Sequence, residues 1–380
     1  MQITIPNQLL AQVVNISSRV IKSNINIPIL RNILIDFQKN ETYIVSTDLE
    51  TQFKAVLNIG SQKPTKIAVH SSTFAQYLNS LEKDDSITLK VEEKRLVVKD
   101  KNSSASFTIK EADEYPTLSA ESTEKLITLS KEDLIKALER TLFAVSKDDI
   151  RPILTGVHFN IEKDQLDIVA LDTFRMSYVQ LPISSEKVIK FTVPSNSLQH
   201  LLRVLKDGFL ETYIGEDEVT LLLGKGKNNE ENLIIFKYGI VEITARMLDG
   251  EYPNYKDIIP KENKFVYEIN NPEFMQALKR VGIFAQNSIT QRLVLEFDKN
   301  QLILSAEAQE MGDIKEVIEI NTISKDVKLT VGFQYRFLLE IVQNINEDVI
   351  IFKSNGETAP ALFIPKEDKS FLHIVMPLKL

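Results

Sequence analysis

The strongest constraint on the fold is an internal repeat. Ile3-Thr4-Ile5 alternates like a strand, and residues 7–22 carry a helical period. Ile33-Leu34-Ile35-Asp36-Phe37 and Tyr43-Ile44-Val45 alternate again across a polar turn at Lys39-Asn40, and Thr47-Asp48-Leu49 follows. The same order returns at Ile127-Thr128-Leu129. A helix capped by Ser130, with Asp133 three residues on, leads to strands at 156–161 and 166–169 and then to Leu171-Asp172-Thr173. Asp48 and Asp172 stand 124 positions apart (48 to 172), as do Asn7 and Lys131 (7 to 131), so the two copies are in register. A third copy opens at 265–269 and starts its helix with Asn271 as N-cap and Pro272 at the first helical position. It continues through 293–297, a Lys299-Asn300 turn and 302–304, but Glu307-Ala308 replaces the Asp.

Each copy has a second half of like design: a strand (66–70, 188–193, 327–331), a helix (72–81, 195–205, 334–343) and short alternating strands. A helix packed on one face of an antiparallel sheet is an α+β arrangement. The expectation is therefore three tandem two-helix, antiparallel-sheet domains, at residues 1–121, 126–256 and 262–380, separated by polar stretches at 120–125 and 260–264. Three unrelated α+β domains are the alternative, and the matched offset favours repetition.

Composition narrows the function. The formal net charge is −8 and the pI about 5.3, which argues against a strongly basic nucleic-acid binder while leaving the distribution of charge open. There is no Cys, so disulfides and thiolate metal sites are excluded and a reducing compartment fits. No basic-then-apolar leader opens the chain and no apolar run approaches the ~20 residues of a membrane span, so a soluble, cytoplasmic protein is expected.

The distribution proves informative. The first helix sets Gln8, Gln12, Asn15, Arg19 and Lys22 opposite Leu9, Val13, Ile16 and Val20, with no carboxylate on the polar face. Gln199, Arg203 and Lys206 repeat this on another helix, and Gln276, Lys279 and Arg280 on a third. Lys136 and Arg140 lie one turn apart, and Arg336 has Glu340 one turn later. The acids gather instead in strands and loops such as 82–85, 216–218 and Glu230-Glu231. For one helix this is an ordinary solvated face. If equivalent helices of a repeat face one axis, Arg19, Lys22, Lys136, Arg140, Gln199, Arg203, Lys206, Lys279, Arg280 and Arg336 line a surface that attracts phosphate without reading bases and holds DNA loosely enough to slide.

Short motifs then carry a resemblance across the whole chain. The end, Ile374-Val375-Met376-Pro377-Leu378-Lys379-Leu380, resembles the terminal hydrophobic-Met-Pro-hydrophobic-basic-Leu of the bacterial DNA sliding clamps, beta subunits of the replicative DNA polymerase III. Ile27-Pro28-Ile29-Leu30 with Asn32, Thr47-Asp48-Leu49-Glu50, Arg151-Pro152-Ile153-Leu154-Thr155-Gly156, Asp172-Thr173-Phe174-Arg175 and Asp249-Gly250-Glu251-Tyr252-Pro253-Asn254-Tyr255 agree in order and spacing.

The resemblance implies the DNA clamp fold, a head-to-tail homodimer closed into a ring around double-stranded DNA regardless of sequence, helices inside and sheets outside. It implies no enzyme activity and no cofactor. The partners implied are the replicative polymerase, a clamp loader and other proteins with a Gln-containing hydrophobic motif. That motif would enter a pocket carried over onto Leu154, Thr155, Leu171, Thr173, Arg175, Met176, Pro253, Ile258, Thr358, Pro360, Val375, Met376, Pro377 and Leu378. Aliphatic and Met side chains give adaptable apolar burial, and Arg175 is expected to hydrogen-bond the peptide. Leu154 and Val375 read equally as core between domains. For the dimer interface, the resemblance points to Phe107 meeting Ile283 and Phe284.

Three departures stand out. Thr173-Phe174 occupies the place of a Gly or Ser followed by His and reshapes the pocket floor, and Lys379 replaces a common Arg. The first-domain loop Ser23-Asn24-Ile25-Asn26 leaves Lys22 as its nearest base.

Enzyme readings find little support. His70, His158, His200 and His373 lack metal-ligand spacing. Gly224-Lys225-Gly226-Lys227 lacks the full phosphate-loop pattern and reads as a hairpin. Asp48 and Asp172, equivalent within the repeat, suit turns better than a catalytic pair. A repeat-built carboxylate hydrolase and a protein-only scaffold remain the alternatives.

Overall fold

The computed structural model describes residues 1–22, 26–83, 85–120, 122–148, 150–225, 231–309, 311–325 and 328–380. Expectations that rest on Ser23 to Ile25, Gly226, Lys227, Glu230 or Val327 lie outside these residues, as do Asp84 and Glu121 of the stretches named above. Within them the repeat is plain. Module one runs β1 (Gln2–Pro6), α1 (Asn7–Ser18), β2 (Asn32–Phe37), β3 (Thr42–Thr47), β4 (Thr51–Leu57), β5 (Thr65–His70), α2 (Ser71–Ser80), β6 (Ser86–Glu92), β7 (Arg95–Lys99) and β8 (Ser104–Glu111).

Module two follows as β9 (Ser122–Ser130), α3 (Lys131–Leu142), β10 (Gly156–Ile161), β11 (Gln165–Leu171), β12 (Arg175–Pro182), β13 (Ile189–Pro194) and α4 (Ser195–Leu205). An extra helix α5 (Gly208–Ile214) precedes β14 (Glu218–Lys225), β15 (Glu231–Tyr238) and β16 (Val241–Arg246). Module three is β17 (Phe265–Asn270), α6 (Asn271–Ala285), β18 (Arg292–Asp298), β19 (Gln301–Ala308), β20 (Gly312–Thr322), β21 (Lys328–Gln334), α7 (Tyr335–Gln343), β22 (Val349–Ser354), β23 (Ala361–Pro365) and β24 (Phe371–Val375).

Equivalent positions make equivalent bonds. The backbone N–H of Asn7, Lys131 and Asn271, each the first residue of its helix, donates to the carbonyl of Asp85, Asp217 and Asp348 respectively, at 2.9, 2.7 and 2.7 Å. Asp48 Oδ1 accepts the N–H groups of Glu50 and Thr51, and Asp172 Oδ1 those of Phe174 and Arg175. The two aspartates are turn formers, as expected. Ser130 Oγ accepts the N–H of Asp133 and donates to its carboxylate, completing the anticipated cap.

Three local expectations need correction. The first helix stops at Ser18 because Arg19 and Val20 turn back in tight bonds to Ile16 and Ser17 carbonyls, which buries Val20 and carries Lys22 off the helix. The N-cap of α6 is Asn270, whose side chain accepts the Glu273 N–H at 3.0 Å, so Asn271 lies inside the helix. Helix α5 was not anticipated; Asp207 caps its start by accepting the Leu210 N–H, and Gly215 at φ +64° ends it in the left-handed conformation that glycine adopts without strain.

The chain packs as two compact units, and these do not follow the repeat. One comprises Met1–Ile135, Ser185–Lys187 and Val193–Leu248; the other comprises Lys136–Ser184, Val188–Thr192 and Asp249–Leu380. Each is built on one twelve-stranded sheet. In the first the order is β1-β6-β7-β8-β5-β2-β3-β4-β16-β15-β14-β9, and in the second β13-β10-β11-β12-β24-β23-β22-β17-β20-β19-β18-β21. The sheets explain the division. The fourth strand of module one, β4, pairs antiparallel with β16, the last strand of module two, and β12, the fourth of module two, pairs with β24 of module three. Backbone ladders thus cross both module boundaries.

In the first unit α1 packs on α2 and over β3, and Leu10, Val13, Val14, Phe37, Phe53 and Phe74 are wholly buried. In the second α6 packs on α7, β19 and β20, over Tyr267, Phe297 and Phe352, whose rings contact one another at 4.2 to 6.2 Å. Each such buried aromatic contributes roughly 1.5–3 kcal/mol of transfer free energy.

Candidate functional site

The second unit brings several of the expected peptide-site residues together in two neighbouring rows of the sheet. Leu171 pairs with Met176 across the β11–β12 turn, Arg175 pairs with Val375, and Val375 pairs on its other side with Ala361, next to Pro360. Leu154, Leu171 and Met176 form a buried cluster with Val169, Tyr255, Leu362 and Ile374, against which Tyr178 and Tyr252 pack. Four expected site residues, Leu154, Leu171, Met176 and Val375, are therefore floor and core. The accessible apolar surface above them is Phe174 at 54%, Met376 at 39% and Ile258 at 38% exposure. Thr173 and Thr358 are exposed, and Thr155, Pro253, Pro360, Pro377 and Leu378 are half-buried.

The tail is anchored rather than loose. Met376 N–H donates to the Phe174 carbonyl at 2.8 Å and Leu378 N–H to the Gly332 carbonyl at 2.7 Å, while Arg292 Nη1 donates to the Lys379 carbonyl at 3.1 Å. Gly332 lets the tail approach closely: a Cβ would lie 3.1 Å from Leu380 Cδ2 and 3.2 Å from the Leu378 carbonyl, so the tail would have to shift by a few tenths of an ångström.

Arg175 departs from expectation. Its guanidinium is buried, donating through Nε to Asp172 at 3.1 Å, through Nη2 to the Phe143 carbonyl at 2.5 Å and through Nη1 to Glu340, with the Phe337 ring centroid 4.4 Å away. It is a strut beneath Phe174 rather than an open hydrogen-bond donor. Burial pushes the Glu340 carboxyl up, but Arg175 and Arg336 reverse this and hold it below the usual range.

Two further residues were not foreseen. Tyr252 stacks on His158 at 4.4 Å, and Tyr255 donates to the wholly buried carboxylate of Asp167 at 2.6 Å. Alternation along β11 was the available signal, since it places Asp167 on the face of Val169 and Leu171.

The basic residues divide into two groups. In the first unit α1 and α4 lie side by side, Gln12 bonds Asp207, and Arg19, Gln199, Arg203 and Lys206 are exposed. Arg19, Lys22 and Arg203 act together on His200, whose pKa falls to about 4 first through burial and then through Arg203, with Lys22 and Arg19 adding to it. In the second unit Lys136 and Lys279 are exposed, and Lys136 and Arg140 share a cleft of about 250 Å³ with Gln343 and Asn344 at the end of α7. Several expected DNA-facing charges are already held by carboxylates. Lys22 lies 2.9 Å from Asp48 and 2.7 Å from Glu50; Arg140 is 2.5 Å from Asp368; Arg280 is chelated by Glu316; Arg336 bonds Glu340 at 2.8 Å. Apart from Glu340, which shares α7 with Arg336, the acids come from turns and strands that the helical period does not reveal.

Phe107 on β8 makes edge contacts with Phe74 and Tyr77 at 5.5 Å and is half-buried. Ile283 is exposed and Phe284 half-buried at the end of α6. Among the described residues no His, Cys, Asp or Glu group could hold a metal, and no helix is long and apolar enough to cross a membrane.

Comparison with known proteins agrees in every third of the chain. Residues 1–119, 128–254 and 256–379 match the N-terminal, central and C-terminal domains of the DNA polymerase III beta subunit. The chain is 27% identical over 369 residues to the beta sliding clamp of Synechococcus elongatus, covering 96% of this chain and 95% of that one. It is 23% identical over 388 aligned positions to that of Staphylococcus epidermidis, covering 100% and 99%. The fold is that of the clamp from Bacillus subtilis, with TM-score 0.90, 22% identity and coverage of 100% and 99%. It is equally that of the DNA polymerase III beta subunit from Thermotoga maritima, with TM-score 0.89, 23% identity and coverage of 100% and 99%. With three repeated modules, strand ladders across both junctions and all three domain matches in order, the chain belongs to the DNA polymerase III beta subunit family, the bacterial sliding clamps.

Proposed function

We propose that this sliding clamp, a DNA polymerase processivity factor and not an enzyme, works in the cytoplasm as a head-to-tail homodimer closed around duplex DNA. The observation that carries this reading is the rule of the strand ladders. The fourth strand of module one pairs with the last strand of module two, and the fourth strand of module two with the last of module three. Continuing the series pairs β20 of one copy with β8 of another. Both strands fit that role over part of their length: residues 104–108 of β8 ladder with β7 but not with β5, residues 312–319 of β20 ladder with β19 but not with β17, and Phe107 is half-covered and Val317 exposed there. The helices follow the same rule: α1 packs beside α4 and α3 shares a cleft with the end of α7, which leaves α6 for α2 of the second copy. Phe107, Ile283 and Phe284 then meet across the interface, and a heterologous contact used at both ends of two chains closes.

Arg19, Arg203, Lys136 and Lys279 supply the phosphate-attracting charge, sparse enough for a sequence-independent hold. Phe174, Ile258 and Met376, over the buried Leu154, Leu171 and Met176, receive a short apolar peptide of the replicative polymerase, the clamp loader or another client. Retention on nicked circular DNA, with release after linearisation, tests the topological link. Equal loss from both forms contradicts it.

A further inference from the structure

Asp167 is the most connected buried acid in the second unit, and none of the functions above uses it. It has no exposed surface. Its carboxylate accepts the hydroxyls of Tyr255 at 2.6 Å and Tyr178 at 2.8 Å and the Gln165 amide at 3.0 Å, and Lys256 Nζ stands 3.2 Å away. Burial pushes the carboxyl up, but Tyr255, Tyr178 and Lys256 more than reverse this and hold it below the ordinary carboxylate range. A buried charge this well partnered holds its partners in place, because releasing either hydroxyl leaves it under-solvated.

What it holds is the peptide site. Tyr255 belongs to the buried cluster of Leu154, Leu171 and Met176, with Tyr178 packed against it. Tyr255 also begins the short 3-10 turn that ends at Ile258, one of the three exposed apolar residues of the site.

The first junction shows what happens without this carboxylate. At the same offset of 124, Tyr43 and Lys54 replace Asp167 and Tyr178, and Gln52 replaces Met176. There the segment after the last strand of the module is tied by Gln52, which donates to the Leu118 carbonyl at 3.1 Å and accepts its N–H at 2.8 Å. At the second junction an apolar residue stands in the place of Gln52, and Met176 cannot make those bonds. A polar tie beside Met176 would be incompatible with a hydrophobic ligand, and Asp167 provides the tie from four residues along β11 from Leu171, the strand partner of Met176 (167 to 171).

We propose that Asp167 is a positioning residue of the peptide site: through Tyr255 and Tyr178 it holds the wall and the Ile258 turn in the shape the partner's apolar side chains require. This rests on the reading of the surface as a peptide site. Preforming that surface removes an ordering cost from binding, so its loss weakens affinity without removing any contact to the peptide.

The test uses the full-length dimer and a fluorescent peptide carrying a Gln-containing hydrophobic motif. Asp167→Asn and Tyr255→Phe are each expected to raise Kd about tenfold, and the double variant no further than the weaker single, because both break one link. Tyr43→Phe, at the equivalent position of module one, is expected to leave Kd unchanged. Melting temperature is measured alongside, since a purely structural role lowers it and leaves the Kd of the folded dimer alone. Wild-type binding with Kd within twofold in both single variants overturns the positioning role and spares the site. No binding by the wild type overturns both.

Discussion

Asn7 and Asn271 tie their helix starts to the far end of the module in the same way in modules one and three. Each side-chain amide donates to two backbone carbonyls in or just after its module's second helix: Asn7 to Leu78 and Glu82 at 3.2 and 3.1 Å, and Asn271 to Ile345 and Glu347 at 2.6 and 2.9 Å. In module two Lys131 takes the position and pairs with Glu211 at 2.7 Å instead. The Asn side chain thus supplies donors to backbone carbonyls at the end of the second helix and in the turn that follows it.

Asn271→Ala is expected to destabilise the protein by about 1–3 kcal/mol, since it strands two largely buried carbonyls. Urea unfolding measures this, and an unmoved midpoint would count against the tether.

Phe107→Asp is expected to separate the dimer by placing an unpaired charge where Ile283 and Phe284 dock. Sedimentation velocity reports the outcome, and an unaltered dimer contradicts the interface.

Removing residues 376–380 is expected to abolish peptide binding while leaving the dimer whole, because the tail leans on Phe174 and Gly332 rather than on β8 or β20. Anisotropy with the labelled peptide, beside sedimentation of the same sample, separates the two effects. Unchanged affinity would remove the tail from the site.

Substitution is expected to distinguish Arg203, whose hydrogen-bond partner among the described residues is the His200 ring rather than a carboxylate, from a base that a carboxylate already neutralises. Arg203→Glu lowers retention on circular DNA as salt rises, and loss of one phosphate contact reduces the slope of log K against log salt by about 0.9. Arg280→Gln leaves retention near wild type, because Glu316 already neutralises that charge. Equal effects of the two substitutions would contradict this division.

His158 and His200 predict a stability window. Burial is the main cause of their pKa of about 4 in the fold, with Lys190 assisting at His158 and Arg203 at His200. Since each folded pKa lies below the unfolded value, the unfolded chain binds more protons between pH ~6.5 and ~4. The contribution, up to about 3 kcal/mol for each histidine, is therefore present above pH ~6.5 and is lost as pH falls towards ~4. Melting temperatures across that range test it, and His200→Gln is expected to flatten the dependence.

The repeat, the helix starts and the turn role of Asp48 and Asp172 were legible in the sequence because each rests on residues within a few positions of one another, where period, caps and side-chain-to-backbone bonds are local. Helix α4 needed nothing more. The cap at Asn270 was misread by one residue because Asn270 and Asn271 are both capping residues, and only the burial of Asn271 against α7 separates them. Helix α5 escaped because its cap, Asp207, and its stop, Gly215, enclose too few residues to show a period.

The sites were less legible for the same physical reason. The sequence determined which side chains are apolar and basic, and in which order. It could not determine that Glu316 reaches Arg280, that Asp48 and Glu50 reach Lys22, or that Asp172 and Glu340 bury Arg175. Apart from Asp172, three residues before Arg175, those partners come from elements separated in the chain, and tertiary packing brings them within 3.1 Å or less. The division into two units was likewise decided by tertiary structure, because β4 and β12 each find their last partner in the following module.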